Sequence, residues 1–139
     1  MIATIQDAIV AELLTITDMG TVAAWQGEVG DLDDILQIPQ KLPALHVIYN
    51  GGEYGEKKVI GANRVNLDMQ FMLILVSKNL KGRKEGAAAS YTIIEAVRDK
   101  LMGFQVSPYG FFWPVREDLL RALGGVQIYG LIYRINANV

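Results

Sequence analysis

The sequence predicts an α+β fold, a mostly antiparallel sheet of about four strands with two main helices packed on one face. Three observations carry that prediction. One apolar stripe with helical spacing opens the chain, and a second runs through residues 87–101. Between and after them lie stretches in which apolar side chains alternate with a period of two. At 139 residues, the chain suits a single domain, residues 1–139, able to bury about two-thirds of its unfolded surface.

The elements follow in order. Ile2, Ile5, Ile9, Leu13 and Ile16 recur at steps of three and four, which predicts an amphipathic helix ending near Met19 and Gly20. Gly27, Gly30, Pro39 and Pro43 then break any long element, while Asp31 would cap a short helical turn through Leu36. In "ALHVIYNGG", residues 44–52, Leu45, Val47 and Tyr49 alternate with His46 and Ile48, so a strand enters a turn, followed by the loop "EYGEKKVIGAN". Residues 64–77 predict the strongest strand. Val65, Leu67, Met69, Phe71, Leu73 and Leu75 face one way. The other face changes from Asn66, Asp68 and Gln70 to Met72, Ile74 and Val76, so burial should pass from one-sided to two-sided.

Something must cover that second half. The helix expected from about Ala87 to Gly103, with Ala87, Tyr91, Ile94, Val97 and Leu101 on one stripe, is the candidate. The last strand is marked by Val126, Ile128, Gly130 and Ile132 alternating with Gln127, Tyr129, Leu131 and Tyr133. Gly124-Gly125 suits a hairpin that would make residues 115–123 its antiparallel partner, although "REDLLRAL" also fits a helical turn.

Composition narrows the function. Thirteen basic and fifteen acidic residues give a net charge of -2, so the broad positive field of a typical nucleic-acid binder is missing. Lys78, Lys81, Arg83 and Lys84 would each neutralise a phosphate, but no aromatic residue is interleaved to stack a base, and the cluster reads better as a solvated or protein-facing loop. The absence of cysteine excludes disulfides and thiolate metal sites and fits a reducing compartment. Asp7 and Glu12 within the first apolar pattern argue against a signal peptide, and the apolar run 69–76 is too short to span a membrane.

No chemistry-bearing constellation emerges. Gly51, Gly52 and Gly55 lack phosphate-loop spacing and sit beside Glu53 and Glu56. His46 is the only histidine, so no His-based zinc site or serine triad can be assembled around a second imidazole. Asp31, Asp33 and Asp34 lack the ordered ligands of a calcium loop and suit a helix N-terminus instead. No catalytic residue, metal ligand or cofactor is expected, and the chain is not read as an enzyme. Tyr109, Phe111, Phe112, Trp113 and Pro114 concentrate aromatic area, as core or as an assembly interface.

Taken in order, "LPALHVIYNG", a glycine-rich loop, "VNLDMQFMLILVSKN", "SYTIIEAVRDKLMGF", "SPYGFFWPV" and "GGVQIYGLIYRINA" resemble the tail-terminator-like family of contractile-tailed, Mu-like prophages. The resemblance covers roughly residues 42–137. It implies an α+β fold similar to the lambda tail terminator, and a structural virion protein that assembles in the host cytoplasm. It further implies a self-assembled ring, commonly a hexamer, that caps the tail tube and offers a surface to a head-completion protein. No membrane or specific nucleic acid is expected as partner. The expected subunit contact sets Asp31, Asp33 and Asp34 against Lys78, Lys81, Arg83 and Lys84 of the next copy, with Phe111, Phe112 and Trp113 as further interface candidates. The alternative is a small nucleic-acid-binding module using residues 78–84.

Overall fold

The computed structural model describes residues 1–24, 40–55, 65–78, 83–123 and 125–138, without the side chains of residues 83–88, 123 and 138. Helix α1, Ile2–Leu13, buries Ile5, Ile9 and Leu13 as the stripe requires. It stops before Met19 because a Thr-Ile-Thr run follows. The Thr15 hydroxyl donates to the Glu12 carbonyl at 2.6 Å, and that β-branched run favours turns over further helix. Ile16 still reaches the core.

Among the described residues two short strands join the four expected ones, in the sheet order β1 (Thr21–Ala24), β2 (Ala44–Tyr54), β3 (Asn66–Lys78), β6 (Val126–Asn138), β5 (Gly110–Leu123), β4 (Gln105–Val106). Strand β1, Thr21–Ala24, runs parallel to β2, Ala44–Tyr54, which makes the sheet mixed. The Pro43 carbonyl accepts from both Gly20 N–H and Thr21 N–H, at 2.9 and 3.2 Å, and so fixes where β1 begins. Instead of turning at Asn50, β2 continues to Tyr54. A bulge between Tyr49 and Gly51 absorbs one residue, Gly51 takes a φ of 101°, and pairing resumes with Gly51 opposite Gln70.

Strand β3, Asn66–Lys78, lies at the sheet's centre and pairs with β2 on one side and β6, Val126–Asn138, on the other. Its odd-numbered residues from Leu67 to Ser77 are buried, and from Leu73 to Ser77 the even-numbered ones are buried too. Helix α2, Arg83–Leu101, is followed by β4, Gln105–Val106, and β5, Gly110–Leu123. The helix starts four residues before Ala87, which puts Arg83 and Lys84 in its first turn rather than in a loop. "REDLLRAL" is strand, because β6 pairs with β5 from Phe112 to Leu123, across two register shifts. Tertiary pairing outweighs its local helical preference.

Both helices contribute to one large core. Ile5, Ile9 and Leu13 of α1 and Ile94, Val97 and Leu101 of α2 join Leu45, Val47, Met69, Phe71, Leu73, Leu131, Tyr133 and Ile135 of the sheet. Gln6 donates to the Val47 carbonyl at 2.7 Å, and the buried hydroxyls of Ser77 and Ser90 meet at 2.6 Å, tying one helix to β2 and the other to β3. Helix α2 therefore covers the face of Leu73 and Leu75, not that of Ile74 and Val76. The latter belong to a second cluster with Ala44 and Ile128, flanked by Leu42, Ile48, Met72 and Val126.

Candidate functional site

The groups capable of chemistry are held for structural ends. His46 is buried on β2 and shares a 2.7 Å hydrogen bond with the Gln40 Oε1, while burial lowers its pKa and keeps it neutral. The ring is thus a poor proton donor, and its ladder neighbours in the sheet are Ala23 and Ile74. Tyr133 is also buried, its hydroxyl without a hydrogen-bond partner among the described residues, and desolvation pushes its pKa up to about 12. Arg98 grips Glu117 bidentately across α2 and β5, with Nε donating to Oε2 at 2.8 Å, and that partner raises the guanidinium pKa further. Among the described residues, no group of three His, Cys, Asp or Glu side chains could hold a metal ion, and no helix is long and apolar enough to cross a membrane.

One polar cleft of about 390 Å³ opens at the tip of β2 and β3, lined by Asn50, Gly51, Gly52, Glu53, Asp68 and Gln70. Its acidic lining does not suit phosphate, in line with the glycine spacing. One Asp68 carboxylate oxygen is buried without a partner among the described residues, and the other stands 3.8 Å from Arg134.

The surface that stands out is β5. Phe111, Trp113, Val115, Leu119 and Leu120 are each between 40% and 56% exposed, and they account for nearly half of the large apolar side chains exposed among the described residues. Two devices shape the strand. Gly110, at φ 138°, lets the chain enter β5 so close to Asn136 that a Cβ would lie 2.8 Å from the Asn136 carbonyl oxygen. The register then shifts between Pro114 and Arg116 and again between Leu119 and Arg121.

The expected interface residues divide. Phe111 and Trp113 are exposed, but Phe112 is fully buried between Phe71 and Phe104, with ring centroids 6.1 and 6.3 Å away, and so serves the core. Strand alternation requires this, since neighbours on a strand point to opposite faces. Lys78 is exposed at the end of β3. Asp31, Asp33, Asp34 and Lys81 lie outside the described residues, as do the side chains of Arg83 and Lys84. The exposed residues of β5 beyond Trp113 escaped the sequence reading because "REDLLRAL" admitted two conformations, helix and strand, which expose different side chains.

Both helices pack on one face of the α+β sheet, and its outer strand β5 carries a run of exposed apolar side chains. Residues 8–138 match the family described as phage tail terminator protein, and the chain belongs to that family. It is a structural protein of a phage-type tail and a virion component. Among solved structures, a chain from the virion of a native gene transfer agent particle shares the fold, with a TM-score of 0.64 at 14% identity, over 99% of this chain and 97% of that one. A search of curated proteins finds no match.

Proposed function

We propose that the protein caps the tail tube as a ring of identical subunits, possessing six copies in the arrangement the family resemblance implies. The ring ends tube polymerisation and presents its far side to a head-completion protein, after assembly in the host cytoplasm. The carrying observation is the exposed apolar surface of β5 in a member of the tail terminator family. A free monomer has little reason to hold Trp113 and Phe111 in water, whereas assembly interfaces are enriched in such side chains. That the neighbour of the same fold comes from a virion supports the reading.

Residues 1–139 act in this reading as one domain. Phe111 and Trp113 remain candidates for the subunit interface, as does the contact between Asp31, Asp33 and Asp34 and the cations Lys78, Lys81, Arg83 and Lys84. Charge reversal at Lys81, Arg83 and Lys84 should lower assembly at low salt. Unchanged light scattering would remove that contact.

The ring itself is tested by mass photometry and negative-stain microscopy of the purified protein, alone and with its tail tube protein. Rings, or caps that arrest tube growth, are the expected result. A strict monomer at every concentration, without effect on tube length, would overturn the reading.

A further inference from the structure

The side of β5 that faces away from β6 meets β4 only at Gly110 and Phe111. At Phe112 its backbone groups bond to Gly103 N–H and the Phe104 carbonyl, at 2.8 and 2.9 Å. From Trp113 to Leu123 no further strand lies beside it among the described residues. Such an edge normally invites another strand to pair with it. This one is guarded by Pro114, which has no N–H, and by its two register shifts. Its backbone is closed to strand addition while its side chains stay apolar and exposed, so docking here runs through side chains.

The opposite long edge has complementary chemistry. Strand β1 accompanies β2 only from Ala44 to Val47, and the β2 tip carries exposed Glu53 and Tyr54, the latter 71% exposed. Asp68, opposite Glu53 in the ladder, adds a second carboxylate. On β5, Trp113 is exposed and Arg116 projects a side chain 63% exposed, paired to Asp118 at 2.8 Å in an exposed contact that is cheap to rearrange. One edge thus offers an aromatic ring and a cation, the other a pair of carboxylates on one face. Because they sit on opposite edges of one sheet, a contact between them is head-to-tail and repeats, as a ring requires.

We infer that the outer surface of β5 docks on the β2 tip of a second copy of this chain, with Arg116 reaching Glu53 and Trp113 packing beside that pair. The inference rests on the ring reading and assigns its interface. Arg116→Glu and Glu53→Arg should each weaken assembly by roughly tenfold, and the two changes together in one chain should restore most of it. Far-UV circular dichroism and thermal melting check that each variant folds.

Because the chain has no cysteine, single-cysteine variants give a second measure. Mixed Val115→Cys and Gly55→Cys chains should form a disulfide-linked dimer under mild oxidant, faster than either alone. If the wild type forms rings but the charge swap does not recover assembly and the mixed chains do not cross-link, the assigned interface is wrong while the ring stands. If the wild type never assembles, both fall.

Discussion

Strands β3 and β5 are nearly equal in length, 13 and 14 residues, and lie in the same sheet, yet they handle apolar side chains in opposite ways. Paired on both sides, β3 buries every side chain from Leu73 to Ser77. Paired along only one side for most of its length, β5 turns Phe112 inward and leaves Phe111, Trp113, Val115, Leu119 and Leu120 exposed. Similar hydrophobicity thus stabilises the fold in one strand and remains free for association in the other. Substitutions in β3 should show in folding, and those on the outside of β5 in assembly.

The sharpest way to break that contrast is at the core. Phe71→Ala removes a fully buried ring that packs on Tyr49 and Phe112, with centroids at 5.4 and 6.1 Å, and should cost about 3–5 kcal/mol in urea unfolding. A loss below about 1 kcal/mol would mean that the β3 face is not the core described. Next comes the entrance to β5. Gly110→Ala meets both a positive φ and the Asn136 carbonyl, and should cost about 1–3 kcal/mol by the same assay.

A pH titration gives a smaller effect. The His46 pKa is lowered in the fold by burial, so the unfolded chain binds its proton more readily. The resulting stability is complete above the unfolded pKa of about 6.5 and falls as pH drops toward the folded value, by at most about 1.4 kcal/mol per pH unit. Melting temperature against pH should show this fall below about pH 6.5, and His46→Gln should flatten that part of the curve. Smallest on folding is Trp113→Ser, an exposed change expected to alter stability by no more than about 0.5 kcal/mol. The same variant should lose assembly by mass photometry. Lost stability with intact assembly would reverse the contrast between the strands.

Much of this was legible in the sequence wherever one periodicity had no rival. The stripe of α1 and the one-sided to two-sided change along β3 follow from spacing, because side-chain direction is set by the backbone period. Strands β1 and β4, of four and two residues, are too short to show a period. The run of β2 through Gly51 was hidden because Asn-Gly-Gly signals a turn as readily as a bulge. For the candidate surface, the aromatic stretch 109–114 pointed to β5. Which of its residues face outward depended on two register shifts that only pairing with β6 reveals.

The sheet order also bears on how the chain reaches this structure. Strands β2 and β3 are neighbours in sequence and pair as a local ladder, as do β5 and β6, whereas β3 and β6 meet only across the span that holds α2, β4 and β5. Two ladders have to zip along a seam of 13 residue pairs, from Asn66–Asn138 to Lys78–Val126, and that seam carries the largest loop-closure cost. We expect refolding on the slow side for a chain of this length, in about milliseconds to seconds by stopped-flow fluorescence, with the seam closing after the ladders. Until it closes, one edge of β3 is open to another chain, so the strand best protected in the finished molecule is the one most vulnerable to aggregation on the way to it.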